Sequence, residues 1–320
     1  MEKIAQIICA ACLATTLPLA GCAAAPHDQQ QAQEATTFAE EPQQASGDEL
    51  TGMCDSKQAQ KQSHAKRSEE TASLSKAMKA AKTDIAELAA PYGKKARIFV
   101  AKTGSNESFS FNAERKTAAA SLIKLAVLAE VMAEVDDGGL SWNSSTGGST
   151  VERLTAKMVE ESDNDAANVL IDTVGMDAVN TRCKALGLGS TNLNRKMLAS
   201  GDENTTSARD TAEIMLGIAE HTIASKASCK KAEGFLKRQT RRYGIPSKIE
   251  GKVTVGNKTG ELNSAGYDSV LGSGVIVRHD AAIVYTPAPV VVCVLTADIG
   301  ESEAHALMGK IGKVILDDLS

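Results

Sequence analysis

Residues 117–135 read TAAASLIKLAVLAEVMAEV, and this stretch predicts a buried helix with a serine at its start. The small residues before Ser121 lead into an apolar run from Leu122 to Val135, long enough for about four helical turns. At a helix N-terminus, unpaired backbone N–H groups and the helix dipole favour developing negative charge. Lys124 follows one turn later on the same side of the helix. This S-x-x-K pattern therefore predicts an activated nucleophile.

Two further short motifs follow in a fixed order along the chain. Ser162-Asp163-Asn164 begins a predicted helix, and Lys258-Thr259-Gly260 ends a β-like run that starts at Lys252. Other copies of S-x-x-K and K-T-G begin at Ser63, Ser73, Ser228 and Lys102. These copies lie upstream of any predicted core strand, in a cationic stretch, or ahead of the nucleophile in a turn. Order and context therefore select the set built on Ser121.

The periodicity of the rest of the chain predicts strands near both ends of a domain and helices between them. Predicted strands cover 96–102, 107–112, 252–259, 275–285 and 290–297, and predicted helices cover 68–89, 151–161, 165–174, 176–186, 208–238 and 302–318. We therefore predict an α+β fold, an α/β sandwich. Its antiparallel sheet of N- and C-terminal strands would be flanked by helices, with an all-helical insert at about 117–240. The domain is predicted to span 67–320, with the site where insert and sheet meet.

The N-terminus is predicted to be a lipoprotein signal peptide, residues 1–21. Lys3 precedes an apolar run from Ile4 to Ala20, and small residues then lead into Cys22. This ending resembles a lipobox, which implies cleavage before Cys22 and its diacylation. Residues 22–66 are rich in Ala, Gln, Glu and Ser and poor in large apolar side chains, so we expect a disordered tether. The domain is therefore expected to be exported and lipid-anchored to the cell membrane.

The overall composition argues against several classes of function. The formal net charge of −5 is spread without long single-sign blocks, so no nucleic-acid partner is expected. Aromatic residues make up 3% of the chain, too few for a carbohydrate groove of stacking rings. The histidines are scattered and no Cys/His cluster has zinc spacing, so neither a metal nor another cofactor is predicted. A monomer is expected.

The cysteines beyond the signal peptide and Cys22 are Cys54, Cys183, Cys229 and Cys293. Cys293 lies in the apolar run 290–295 and is predicted to be a buried thiol. Export permits disulfides, and a Cys183–Cys229 bridge is one pairing that the sequence leaves open.

The three motifs together resemble those of the penicillin-recognising serine acyl-transferases, and the region from about 70 to 320 resembles a class A β-lactamase-related serine hydrolase. Residues 162–168 are similar to S-D-N-x-A-A-N, 193–195 to the L-x-R that opens the omega loop, and 205–210 to T-T-x-x-x-D. Residues 257–262 match a penicillin-binding-protein-like subgroup. The resemblance implies acyl transfer through a Ser121 ester, with a β-lactam or a peptidoglycan stem peptide as substrate.

The resemblance assigns chemical roles to the first two motifs. Lys124 would accept the proton of Ser121, and Ser162 would pass a proton to the leaving nitrogen. Asn164 would orient the acyl amide and Lys124 by hydrogen bonds. In the structural alternative, Ser121 and Ser162 are no more than helix N-caps.

The third motif is assigned to substrate binding. Lys258 and Thr259 would attract the substrate carboxylate, and Gly260 would keep the strand edge clear for the substrate. The backbone N–H groups of the nucleophile and of Glu261 would form the oxyanion hole. A second carboxylate contact would come from Arg278 or His279.

The omega loop departs from the class A pattern. Class A β-lactamases carry a glutamate there, in E-x-x-L-N, that activates water for deacylation, whereas residues 195–205 read RKMLASGDENT. Met197 or Leu198 stands where that glutamate is expected. Glu203 is predicted to support the loop, and Arg195 is predicted to pair with Asp202.

Fast β-lactam hydrolysis is therefore not expected, although the acylating groups are present. Two alternatives stay open: a D,D-peptidase that acts on peptidoglycan with little β-lactam turnover, and a non-catalytic pseudoenzyme that binds the cell wall. The segment 263–277 is a second departure from the family pattern and a candidate gate at the cleft edge.

Overall fold

The strands near the two ends of the domain assemble into one sheet. The computed structural model describes residues 74–263, 267–268, 272–273 and 276–320. The helices are α1 Lys76–Ala89, α2 Ile123–Asp136, α3 Val151–Ala156, α4 Asn164–Val174, α5 Met176–Ala185, α6 Ala208–Ala219, α7 Lys226–Lys237 and α8 Glu301–Leu319. The strands are β1 Ala96–Lys102, β2 Ser108–Phe111, β3 Thr117–Ala118, β4 Ser145–Thr146, β5 Ser149–Thr150, β6 Thr205–Thr206, β7 Val255–Asn263, β8 Tyr267–Asp268, β9 Gly272–Ser273, β10 Ile276–Val284 and β11 Val290–Ala297.

The main sheet is five-stranded and antiparallel throughout, in the order β2-β1-β11-β10-β7. Every residue of the central strand β11 is buried. β7, which contains the K-T-G motif, is an edge strand of this sheet. An edge strand has free backbone groups along which an extended peptide can bind. The predicted fold class, α+β with an antiparallel sheet and helices, is confirmed.

Both faces of the sheet are covered by helices, because its strands are apolar on both sides. On one face α1 and α8 pack over a core that includes Ile98 and Ile311. On the other face the helices between β3 and β7 pack over a second core, which includes Phe99 and Leu125. Ile98 and Phe99 belong to different cores because successive side chains of a strand point to opposite faces.

Helix α2 is the centre of the helical part. Its residues from Ile123 to Ala133 are all buried, as expected for a helix that is apolar on every side. Two of these buried residues carry charge, Lys124 and Glu130. Glu130 has a partner in Arg182, at 3.2 Å between Oε2 and Nε. The surroundings of Lys124 are those of the candidate site.

The single helix predicted at 208–238 is wrong, because the chain breaks there into α6 and α7. The backbone at His221 has a φ of +56°, in the left-handed region that ends a helix. Ser225 then caps the new helix, since its Oγ accepts from the Ser228 N–H at 3.2 Å. A serine in the middle of an apparently continuous pattern was a start signal that the prediction missed.

Two other predicted boundaries shift. The strand predicted at 252–259 begins at Val255, because the Lys252 N–H closes a turn onto the Ile249 carbonyl at 3.1 Å. The strand then continues to Asn263, four residues beyond its predicted end at residue 259. The helix predicted at 68–89 begins at Lys76 within the described chain, capped by Ser75.

The cysteines within the described residues are free. Cys183 and Cys229 are both buried thiols, so the disulfide left open by the sequence is not formed. Cys293 is buried in β11, as predicted.

Predictions for the N-terminal part fall outside the described residues. They concern the signal peptide at 1–21, Cys22, the tether at 22–66 and Cys54; most of the proposed gate at 263–277 also falls outside. Within the part of the chain that the structure describes, no helix is long and apolar enough to cross a membrane.

Candidate active site

Ser121 lies in a single 3₁₀ turn, Ala120–Leu122, that leads into α2. Its side chain caps neither this turn nor α2, so the N-cap alternative does not describe it. Ala120 has a φ of +47°, a conformation that costs a non-glycine residue about 1–3 kcal/mol and that is common next to functional groups. The hydroxyl of Ser121 accepts a hydrogen bond from Lys124 Nζ at 3.2 Å.

Lys124 is fully buried and surrounded by polar atoms of the first two motifs. Its Nζ donates to Asn164 Oδ1 at 2.8 Å and to the Ser162 carbonyl at 2.6 Å, and lies 3.3 Å from Ser162 Oγ. The pKa of Lys124 is lowered to about 8; burial is the largest cause, the charge of Arg241 adds to it, and the charge of Asp163 opposes both. A fraction of Lys124 is therefore uncharged near neutral pH and able to accept a proton.

Ser162 is held in the left-handed region, with φ 61° and ψ 33°, directly after a π-helical turn at Lys157–Glu161. The cap of α4 is the next residue, Asp163, whose Oδ1 accepts from the Ala166 N–H at 2.7 Å. Ser162 is therefore not the N-cap of α4. Its hydroxyl is free to face the two lysines.

Lys258 reaches the same hydroxyl from the sheet. It is fully buried, and its Nζ donates to Ser162 Oγ at 2.8 Å and to the Thr259 carbonyl at 2.8 Å. Burial is the main cause that lowers the pKa of Lys258 well below its ordinary value, and the charges of Lys124 and Arg241 add to it. Ser162 Oγ thus bridges two amines, one of which also contacts Ser121. The chain of hydroxyls and amines is suited to proton transfer.

The packing around Gly260 explains why the third motif has a glycine at this position. A Cβ on Gly260 would lie 3.1 Å from the Ala119 carbonyl and 3.1 Å from the Leu122 N, so the glycine lets β7 pack against the turn that contains Ser121. Room for this turn, rather than for a substrate, is the reason that the structure gives for Gly260. The buried hydroxyl of Thr259 and the Oε1 of Glu261 have no hydrogen-bond partner among the described residues.

Arg241 is a site residue that the sequence prediction missed. Its Nη1 lies 3.6 Å from Glu261 Oε2, and its charge contributes to the lowered pKa of both Lys124 and Lys258. It lies in a loop between α7 and β7, in the run 238–242 that contains three arginines. That cluster, just ahead of Ile245-Pro246, was the signal available in the sequence.

The two residues predicted to offer a second carboxylate contact have other partners. Arg278 donates to Glu301 Oε2 at 2.6 Å and to Asn263 Oδ1 at 2.9 Å. The ring of His279 is buried between the Ala118 carbonyl, at 2.9 Å, and the Thr296 N–H, at 3.2 Å. Burial lowers the pKa of His279 to about 4, so it is uncharged at neutral pH.

The loop that follows Arg195 presents Met197 to the protein interior. Asn168 on α4 holds the backbone of Met197 on both sides: its Oδ1 accepts from Met197 N–H at 2.8 Å and its Nδ2 donates to Met197 O at 3.1 Å. Met197 packs against the helical core, whereas Leu198 is 81% exposed and has a φ of +64°. Of the two positions where a glutamate was expected, Met197 is the inward one.

The ends of this loop are joined by Arg195. Its guanidinium contacts the carboxylate of Glu203 and donates to the Ala199 carbonyl at 2.6 Å. The predicted pairing of Arg195 with Asp202 is wrong, because the neighbouring carboxylate takes that place. Glu203 supports the loop, as predicted, and is occupied by this pair.

Two serines, two lysines and an asparagine at the junction of an antiparallel sheet and a helical part define a β-lactamase/transpeptidase-like protein. Residues 80–319 match the Beta-lactamase enzyme family, and the chain belongs to this family. No curated protein sequence matches it. The structure resembles that of a β-lactamase from Sphaerobacter thermophilus with a TM-score of 0.64 and 26% identity, over 75% of this chain and 96% of that one.

Two further solved structures support the fold alone. An ancestral (GNCA) class A β-lactamase is 22% identical, with a TM-score of 0.64 over 74% of this chain and 99% of that one. PBP-A, as a leucine-to-glutamate mutant in an acyl-enzyme complex with penicillin G, is 21% identical, with a TM-score of 0.63 over 74% of this chain and 95% of that one. No group of His, Cys, Asp and Glu within the described residues is arranged to hold a metal ion.

Proposed function

We propose that this member of the β-lactamase family is a serine acyl-transferase, which forms an acyl-enzyme at Ser121 with β-lactams or with peptides that end in D-Ala-D-Ala. One observation carries the proposal. The buried amine of Lys124 lies within hydrogen-bond reach of the hydroxyls of both Ser121 and Ser162 and of Asn164 Oδ1. A merely structural lysine does not require a second lysine on the same hydroxyl.

Acylation would proceed through these groups. Lys124, when uncharged, accepts the Ser121 proton while Oγ bonds to the carbonyl carbon of the substrate. The backbone N–H groups of Ser121 and Glu261 stabilise the oxyanion. The carbon–nitrogen bond then breaks, Ser162 gives its proton to the leaving nitrogen, and Ser162 is reprotonated from Lys124 or Lys258, both of which it contacts.

Binding would rest on the substrate carboxylate. Lys258 and Thr259 lie on the edge strand of the sheet, and the Thr259 hydroxyl has no hydrogen-bond partner in the part of the chain that the structure describes. A substrate carboxylate could accept hydrogen bonds from both. Arg241 is a partly exposed cation whose charge lowers the pKa of both lysines. We assign to it the second carboxylate contact, in place of Arg278 or His279.

Deacylation is the step that this chain is least equipped for. Met197 stands at the inward position of the loop, and a thioether cannot take a proton from water. Glu203, the glutamate of this loop, is engaged by Arg195. PBP-A was solved as a leucine-to-glutamate mutant with penicillin G bound as an acyl-enzyme. A protein of related fold therefore has an apolar residue at a position where its mutant has a glutamate. This favours a D,D-peptidase with little β-lactam turnover over a fast β-lactamase.

The test is the time course with a chromogenic cephalosporin. We expect a burst of one equivalent of product, then slow turnover, with the acyl-enzyme visible by intact mass. Rapid turnover without an accumulating adduct would contradict the deacylation argument and point to another base. Neither burst nor adduct would favour the non-catalytic alternative. A synthetic peptide ending in D-Ala-D-Ala, assayed for released D-alanine, tests the peptidase reading.

For localisation we propose export as a lipoprotein anchored through Cys22, with a monomeric catalytic domain outside the cytoplasm. The support is the resemblance of residues 19–22 to a lipobox. Cys22→Ala should move the protein from the membrane fraction to soluble or unprocessed forms. A mature N-terminus without lipid, found by mass spectrometry, would refute this assignment.

A further inference from the structure

Asp280 is a fully buried carboxylate on β10, paired across the sheet with Thr259 of the K-T-G motif. Its Oδ1 accepts from Asn257 Nδ2 at 2.9 Å, and its Oδ2 accepts from the Ile245 N–H at 2.8 Å. Gly244 makes this approach possible, because a Cβ there would overlap Oδ2. Burial raises the pKa of Asp280 to about 7. The acylation steps use none of its atoms, so this buried charge needs another explanation.

Asn257 connects Asp280 to the loop that precedes the sheet edge. The same Nδ2 that binds Asp280 also faces the Arg241 carbonyl at 3.2 Å. The other end of the amide, Oδ1, accepts from Arg242 Nη1 at 2.9 Å, and Arg242 also donates to the Val255 carbonyl at 3.0 Å. One buried amide therefore ties β10, β7 and residues 241–242 together. Asp280 fixes the rotation of that amide, because a carboxylate can only accept.

Asn257 can affect the candidate site through two cations, Lys258 and Arg241. Asn257 immediately precedes Lys258, and Arg241, whose backbone it holds, places its guanidinium 3.6 Å from Glu261 Oε2. Arg241 and Lys124 repel the charge of Lys258, whereas Asp280 favours that charge. A displacement of the 241–242 segment would therefore change both the position of Arg241 and the balance of charge around Lys258.

We propose that Asp280 is a positioning residue: through Asn257 it holds Arg241 and Lys258 where they bind the carboxylate of a β-lactam or of a cell-wall peptide. The inference rests on the proposed function for the identity of the substrate. Asp280 touches neither the substrate nor Ser121. Its effect is on recognition of the carboxylate rather than on nucleophilic attack.

The competing explanation is that Asp280 only ties the sheet to the short helix Ile245–Lys248 and supports stability. Both explanations predict a lower melting temperature for a variant, so stability does not separate them. They differ in the substrate dependence. A positioning role affects compounds with a free carboxylate selectively, whereas a structural role affects all acylating compounds alike.

The experiment compares penicillin G with its methyl ester. Second-order acylation constants are measured by intact mass at pH 8, above the pKa of Asp280, for the wild type and for Asp280→Asn. The variant keeps the size of the side chain, but its amide N–H₂ must face Asn257 Nδ2 or the Ile245 N–H, so one of the two contacts is lost. A misplacement of about 1 Å can cost as much as 10²-fold, and we expect at least about a tenfold loss for the acid. For the ester we expect less than about a threefold loss.

The matched control is Asp210→Asn, the same substitution at another buried carboxylate. Asp210 accepts from the Ser190 N–H at 2.7 Å and from Thr191 Oγ1 at 2.9 Å, in the helical part. It should lower the melting temperature and leave the ratio of acid to ester acylation unchanged. If Asp280→Asn does not fold, Asn257→Ala cuts the same link and should reduce the same ratio.

An equal loss for acid and ester, or no loss, would overturn the positioning role. If the wild type forms no acyl-enzyme with either compound, the proposed function fails separately. The role of Asp280 is then decided by non-covalent binding of the acid and the ester to Ser121→Ala, with and without Asp280→Asn. A lost preference for the acid supports the role, and an unchanged preference refutes it.

Discussion

The protonation state of Lys124 should control the rate of acylation, and the pH dependence of that rate is a quantitative test. Burial lowers the pKa of this amine to about 8, so the uncharged base becomes more abundant as the pH rises. The uncharged fraction would be roughly 9% at pH 7 and roughly 91% at pH 9. If Lys124 accepts the Ser121 proton, the rate should rise about tenfold between these values and fall about tenfold for each pH unit below 7.

The assay is quenched-flow intact mass with penicillin G, at constant ionic strength and at saturating concentration. Saturation matters because the charge on Lys258, which is needed for the carboxylate, is also lost as pH rises. Lys124→Arg keeps the positive charge but cannot lose its proton, so acylation should fall by about 10²–10⁴-fold and stay low at every pH. A rate that is flat from pH 6 to pH 9, or near-normal acylation by Lys124→Arg, would refute the assignment of Lys124 as the base.

Two further outcomes follow from single substitutions. Met197→Glu should place a carboxylate at the inward position held by Asn168 and speed deacylation by about 10²–10⁴-fold, which would be seen as turnover without an accumulating adduct. The control is Leu198→Glu, on the exposed neighbour, which should leave the rate of deacylation unchanged. Arg97→Met should raise the free energy of unfolding by about 1–4 kcal/mol in urea titration, because Nε and Nη1 of this buried arginine have no partner among the described residues. The exposed control, Arg153→Met, should change stability by less than about 0.5 kcal/mol, and a loss of stability in Arg97→Met would contradict the argument.

The sequence alone carried the prediction of the sheet and of the residues that meet in the site, because these depend on local pattern. Ser121 and Lys124 share one helical turn, and Lys258 ends an apolar run, so their elements could be predicted without knowing the tertiary structure. The helix break between Ala219 and Lys226 was missed because the apolar pattern continues across it. Only the cap at Ser225 marks the break.

Contacts set by the path of a loop could not be predicted in the same way. Arg195 has Asp202 and Glu203 as adjacent candidates, and the direction of the backbone decides between them. Arg241 reaches the cleft only because the segment after α7 folds back along β7. The sequence predicts a strand at 275–285 that contains Asp280, but the burial of its carboxylate against Gly244 depends on packing between elements distant in sequence.

The most direct test of the proposed acyl-transferase chemistry is to locate the penicillin adduct. The protein is incubated with penicillin G, digested, and sequenced by tandem mass spectrometry. We expect one adduct, on Ser121, which is absent in Ser121→Ala and retained in Ser63→Ala, Ser73→Ala and Ser228→Ala. An adduct on any other serine would contradict the site described here, and the absence of any adduct on the folded wild type would contradict the acyl-transferase function itself.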